Sequence, residues 1–288
     1  MTEPARAADR LAIVIAAVLF STGGAAVKAC QLTGWQVASL RSGLAAATIL
    51  LLLPAARRRW DARTLVVGVA YASTLTLYVL ANKLTTAAST IFLQGTAPLF
   101  VALLGPVLLA EALRCRDLLF MAAVSGGMVL FFVGAHPEAP TAPDPLRGNL
   151  VALGIGLSWA LTITGIRWLA RGSGAEGASA RAVACGNVIA CLLAMPLALP
   201  VRSATAVDWA IVSYLGVVQV ALAYVLLLRG IARVQALEAS LLLLVEPVLN
   251  PVWAWIVHGE RPGVWALLGG AVILASTTVK TLAERRRA

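Results

Sequence analysis

The sequence predicts an all-α integral membrane protein of ten transmembrane helices, arranged as two inverted five-helix repeats around a central cavity. Three observations carry this. Of the 288 residues 60% are hydrophobic and only 12% are charged, with mean hydropathy +0.88, too little charge to cover a soluble domain of this size. Apolar stretches near the twenty residues that cross about 30 Å of hydrocarbon recur along the whole chain. The two halves of the chain also repeat one another in outline.

The ten spans run over 11–29, 35–54, 65–84, 86–109, 117–135, 148–169, 181–200, 207–229, 235–257 and 263–281. The first follows the polar start MTEPARAADR, which lacks a small-residue cleavage site, so it reads as a retained helix. The second carries a lone internal cation, Arg41, able to snorkel outward or to meet a substrate carboxylate. In the third, Tyr71, Thr74, Tyr78, Asn82 and Thr85 share one face at 100° per residue, a polar-aromatic stripe on an apolar helix. The fourth continues with Thr86, Thr90, Gln94 and Ala97 toward Pro98. The fifth and tenth hold SGGMVLFFVG and LLGGAVILAS, small-residue faces suited to close packing within the chain or between protomers. The sixth adds Ser158, Trp159 and Thr162, and the eighth Gln219 and Tyr224. The ninth holds Glu238, Glu246, Asn250 and Trp253. Trp35, Trp60, Trp209 and Trp265 sit at span ends, where indoles anchor to the interface.

The longest connection, HPEAPTAPDPLRG (136–148), divides the chain into a first repeat with its N-terminal tail (1–135), a linker (136–147) and a second repeat with a basic tail (148–288). With the N-terminus inside, sixteen Lys and Arg fall on the inner side and five on the outer. Both termini are therefore expected in the cytoplasm, with an even helix count. The net charge of +10 is spread between apolar segments and forms no polar face, which argues against nucleic acid. Cys30, Cys115, Cys185 and Cys191 show no CxxC pairing and read as free thiols. His136 and His258 are isolated, so neither a metal site nor a cofactor is expected, and no nucleophile–base set points to an enzyme.

The stretch TAPLFVALLGPVLLAE (96–111) aligns without gaps to VEPVLNPVWAWIVHGE (245–260), with Pro98 over Pro247 and Glu111 over Glu260 at an offset of 149. Phe20 over Trp159 and Lys28 over Arg167 share an offset of 139. Five helices per half place the second copy upside down, the build of many carriers that bind substrate at interrupted helices near the midplane. A proline removes an intrahelical donor, and the freed carbonyl must face protein or a wet cavity. Pro98 and Pro247 are therefore expected at hinges on the cavity wall, or at plain structural kinks. Tyr78, Asn82, Gln94, Trp159, Thr162, Tyr224, Glu246 and Asn250 are the expected cavity residues. Glu246 has three readings: it holds a substrate ammonium, titrates in proton coupling, or pairs with Arg41. Glu111 and Glu260, beside Arg114 and Arg261, read as solvated loop acids, and Lys28 and Arg167 as snorkelling cations.

The Pro–Glu spacings, with LFSTGG (19–24), GLSWALT (156–162) and GGAVILAS (269–276), resemble EamA-type ten-helix exporters of the drug/metabolite transporter superfamily. Within it the chain looks most like the bacterial aromatic amino-acid exporters of the YddG type. The resemblance covers nearly all of the chain and implies a basket of helices that exports amino acids and related metabolites. No ATP-binding motif is present, which leaves a facilitator or a proton-linked carrier working by alternating access. A multidrug or quaternary-cation exporter of the same architecture is the alternative, and a homodimer is left open.

Overall fold

Short polar residues at the loop ends set where the helices begin. Thr33 and Gln36 form a capping box, as do Thr205 and Asp208. Thr86 accepts from the Ser89 amide at 3.0 Å. Asp61 accepts from the Thr64 amide at 2.8 Å and its hydroxyl at 2.6 Å. The hydroxyl and amide of Thr64 together hold the Asp61 carboxyl below the usual carboxylate range. Caps of this kind contribute about 1 kcal/mol each.

The computed structural model describes residues 7–108, 115–133, 140–170 and 177–285, and every regular element among them is helical. In chain order these are α1 Ala7–Ser21, α2 Gly23–Ala29, α3 Gly34–Leu52, α4 Ala62–Leu84, α5 Ala87–Gln94, α6 Ala97–Leu108 and α7 Cys115–Val133. There follow α8 Pro145–Ala170, α9 Ala178–Ala198, α10 Ala206–Ser213, α11 Ala223–Ile231, α12 Ala236–Leu243, α13 Val245–His258 and α14 Val264–Arg285. A π-helical stretch, Tyr214–Leu222, joins α10 to α11. The outer bounds lie within four residues of those expected. Among the described residues nine stretches are long and apolar enough to cross a bilayer, and the fifth expected span, Asp117–Val133, is a shorter apolar helix.

Three expected spans are interrupted. The first breaks at Thr22 between α1 and α2, the fourth at Gly95–Thr96 between α5 and α6, and the ninth at Leu244 between α12 and α13. Each of the last two breaks lies two to three residues ahead of a proline, Pro98 or Pro247. The cause is local: proline has no N–H for the carbonyl four residues back, here that of Gln94 and Leu243. Gly95 and Leu244 are themselves 149 residues apart, the offset already read from the prolines.

The packing is inverted relative to a soluble protein. Leu51, Leu119, Leu193 and Val264 are each about 70% exposed, while Arg41, Asn82, Asn149, Asn187 and Asn250 are buried. Such a distribution suits hydrocarbon outside and polar groups turned inward. Helix α4 lies against α8 and α9, α3 against α9, and α1 against α11 and α13. Helices α7 and α14 pack on each other, and their glycines permit it. A β-carbon on Gly127 would lie 3.0 Å from the Gly269 carbonyl oxygen, and one on Gly269 would lie 2.6 Å from that of Gly127. The small-residue faces of these two helices thus serve contact within one chain.

The two ends of the bundle differ. The end where α1 begins and α14 ends carries Arg10, Arg57, Arg63, Arg233 and Lys280; Arg57 donates to the carbonyl oxygens of Leu50 and Leu51, and Arg63 stacks 4.9 Å over Trp168. Trp209 and Trp265, at the opposite or far end, are half-exposed as interfacial anchors should be. Cys30 and Cys185 are buried free thiols and Cys191 is half-buried.

Candidate functional site

The stripe on α4 faces inward along its full length. Tyr71, Thr74, Tyr78, Asn82 and Thr85 are all buried. The first three line a cavity of about 120 Å³ in the middle of the bundle, near the size of an engineered cavity of about 150 Å³ that admits benzene. Gln94 enters from the last turn of α5, Trp159 from α8, Gln219 from the π-helical stretch, Tyr224 from α11 and Glu246 from the first turn of α13. Of the expected cavity residues, the structure therefore brings together Tyr78, Gln94, Trp159, Tyr224 and Glu246. Gln94 and Leu243, whose carbonyls lose their partners to Pro98 and Pro247, both line this space.

One wall is aromatic. Phe20 meets Tyr224 edge-on at 5.0 Å between centroids, Tyr224 meets Tyr71 edge-on at 5.7 Å, and Tyr71 lies 6.3 Å from Trp159. The π-helical stretch supplies Gln219 to the same cavity, and Tyr224 follows it in the first turn of α11. Thr74 donates to the Ser158 hydroxyl at 3.0 Å and ties the wall to α8.

Two charges of opposite sign share the cavity. Arg41, from α3, is buried; its Nη2 donates to the Leu75 carbonyl at 2.8 Å, and its guanidinium lies 5.7 Å from the Tyr78 ring centroid. Its Nε has no partner. Glu246 is half-buried and makes no hydrogen bond or ion pair among the described residues. The two line one space without forming an ion pair, so the reading in which Glu246 pairs with Arg41 to brace the bundle is corrected. A buried guanidinium with a free donor and an unpartnered carboxylate are expensive to keep apart unless something else completes them.

Asn82 and Asn250 stand one layer beyond the cavity. Asn250 Nδ2 donates to the Tyr78 hydroxyl at 3.2 Å, and Asn82 Nδ2 donates to the Tyr78 carbonyl at 2.9 Å. The amide oxygens of both are buried and unpartnered. They crowd Gly24, where a β-carbon would lie 2.8 Å from Asn250 Oδ1 and 3.1 Å from Asn82 Oδ1. Thr162 lies outside the cavity lining, and its hydroxyl donates to the Ser158 carbonyl of its own helix at 2.8 Å.

Beyond Gly24 the far end is closed by charge. Lys28 Nζ lies 3.1 Å from Glu260 Oε2, with both side chains almost fully buried. Glu260 is therefore no solvated loop acid, and Lys28 does not snorkel. The expectation failed because Arg261 and the adjoining glycine and proline resemble a loop, while the groups that bury Glu260 come from segments more than a hundred residues away. Arg167 and Glu238 lie at the other end, and Glu238 pairs with Arg10 at 2.7 Å across partly exposed side chains. Glu111 and His136 lie outside the described residues. No cluster of three metal-ligating side chains exists among the described residues.

Residues 146–281 match the model of the EamA-like transporter family. The matched region takes in most of α8 through α14, including Trp159, Tyr224, Glu246, Pro247 and Asn250. Arg41, Tyr71, Tyr78, Gln94 and Pro98, the rest of the cavity, come from the half that precedes it. A solved structure titled only "Crystal structure of protein" is similar in fold over 98% of this chain and 99% of its own, at 21% identity and a TM-score of 0.61. That likeness of fold spans both halves of the chain. No curated protein matches the sequence.

Proposed function

We propose that the chain is a bacterial inner-membrane exporter of amino acids and related small metabolites, with both termini cytoplasmic. One observation carries the reading: Arg41 and Glu246 face the same small cavity without neutralising each other. An α-amino acid brings a carboxylate for the guanidinium and an ammonium for the carboxylate, so it completes both at once. The aromatic wall supplies apolar contact for the side chain. The free volume suits small and medium side chains, and an aromatic substrate requires the Tyr71–Trp159–Tyr224 rings to move. The EamA-like domain and the alignment of the Gly95 and Leu244 breaks support a ten-helix carrier of two inverted repeats. Rocking about the Pro98 and Pro247 bends would expose the cavity to each side in turn. Transport is facilitated or proton-linked.

A second reading has a specific observation behind it. Five aromatic rings around a carboxylate suit an organic cation, which aromatic faces attract. Against it, Arg41 places a fixed positive charge in the same space.

Counterflow in proteoliposomes separates the two. A panel of labelled amino acids, with and without a pH gradient, should show saturable uptake against unlabelled internal substrate. Uptake of quaternary ammonium ions with none of any amino acid would install the cation reading instead.

A further inference from the structure

Glu260 joins three parts of the bundle. Its Oε1 accepts from the Ala87 amide at 2.6 Å, at the first turn of α5, while its Oε2 faces Lys28 of α2. Lys28 Nζ in turn donates to the carbonyls of Thr85 at 2.7 Å and Thr141 at 2.5 Å. Gly259 makes this geometry available: at φ +65° it ends α13 in a left-handed turn and sends Glu260 back toward the bundle. His258 adds a bond from Nε2 to the Ala25 carbonyl at 2.8 Å. The two helices that carry the matched prolines, α5–α6 and α12–α13, are thus fastened to each other and to α2 at the far end.

The two sides of this fastening differ in how they are held. The end of α2 is tied to its neighbours by Lys83 Nζ, which donates to the Cys30 carbonyl at 2.5 Å. Asp208 of α10 adds to this by accepting from the Gln31 amide at 2.6 Å. Helix α13 presents Trp255, Ile256 and Val257 outward, each more than half exposed. A β-carbon on Gly259 or Gly263, which flank the turn into α14, would meet nothing within 4 Å. Among the described residues nothing stands in the way of outward travel of the α13 end, with the Leu244 break as its pivot.

We propose that the Lys28–Glu260 pair is the latch of the far-end gate, and that its opening is an obligatory step in releasing substrate to that side. The inference rests on the reading of the chain as a carrier, but not on which molecule is carried. Behind the latch lies the plug at Gly24, where Asn82 and Asn250 close around a residue with no side chain. Swinging α13 away removes Glu260 from Lys28 and Asn250 from Gly24 in one movement. It thereby connects the cavity to the far side.

Two experiments on the full chain, free of its native cysteines, test this. In the first, Asn250→Cys reports access to the plug through its labelling rate with a membrane-impermeant maleimide added from the far side. Glu260→Gln and Lys28→Met should each raise that rate at least tenfold. The exchange Lys28→Glu with Glu260→Lys should bring it part of the way back. Rates unchanged by both single variants would overturn the latch. The second keeps the fold out of question: Lys28→Cys with Glu260→Cys is joined by a short, reducible bifunctional methanethiosulfonate. Cross-linking should stop counterflow by more than tenfold, and reduction should restore it. Full-rate counterflow in the cross-linked protein would overturn the proposal. Absence of amino-acid counterflow in the unlinked parent would instead sink the substrate reading, and the labelling arm would still decide the latch.

Discussion

Glu246→Gln should lower the apparent affinity for amino acids by about 10- to 100-fold in counterflow, with a smaller change in maximal rate. The substitution keeps shape and volume and removes only the charge. A charge-assisted hydrogen bond contributes roughly 1.5–3 kcal/mol, and each 1.4 kcal/mol is tenfold in an equilibrium constant. Glu246 has no hydrogen bond or ion pair among the described residues, so the substitution breaks no protein contact and the loss reads directly on the ligand. Glu246→Ala should be no more than a few-fold worse than Gln, since the charge that either change removes is the larger part of the contact. If Glu246→Gln transports a panel of amino acids at wild-type rates, Glu246 is removed from the mechanism.

Arg41→Met should abolish transport of carboxylate-bearing substrates while leaving the protein at least as heat-stable as the parent. Buried, with Nε unpartnered and a single bond from Nη2 to the Leu75 carbonyl, Arg41 carries a desolvated charge that the ligand-free bundle does not neutralise. Replacing even a buried ion pair by apolar side chains is often neutral or stabilising by about 1–4 kcal/mol, and Arg41 lacks the partner charge that such a pair would lose. Lost function with retained stability is the pattern of a group kept for its ligand. Arg41→Lys should recover little, because an ammonium cannot reproduce the two-pronged fit of guanidinium to carboxylate. Thermal denaturation in detergent alongside counterflow checks both halves. A marked fall in the denaturation midpoint would mean that Arg41 is a structural strut.

The helix pattern of this chain is plain in its sequence because hydrocarbon leaves few alternatives to long apolar helices. The α4 stripe was also legible: residues at helical spacing with side chains unlike their neighbours had to face something other than lipid. That stripe turns out to run from the cavity, at Tyr71 and Tyr78, to the far-end seal, at Thr85 whose carbonyl holds Lys28. The prolines marked where helices bend, though each break falls ahead of its proline, where the missing N–H is felt. What the sequence hid is the pairing of distant segments. Arg41 was visible as a charge inside a span, but nothing in α3 says that α13 brings Glu246 to the same space. Glu260 was misjudged for the same reason. Thr162 shares a turn with Trp159, yet a threonine hydroxyl satisfied by its own helix needs no ligand. The interruption at Thr22 went unforeseen within a span otherwise continuous in hydrophobicity.

In the proposed mechanism one cavity reads both charges of a zwitterion. Equilibrium binding to the purified protein tests it most directly, using leucine, the amine that lacks its carboxylate and the acid that lacks its amine. Each singly charged analogue should bind at least tenfold more weakly than leucine. An amine that binds as tightly as the amino acid would contradict it, and would leave Arg41 without a part in recognition.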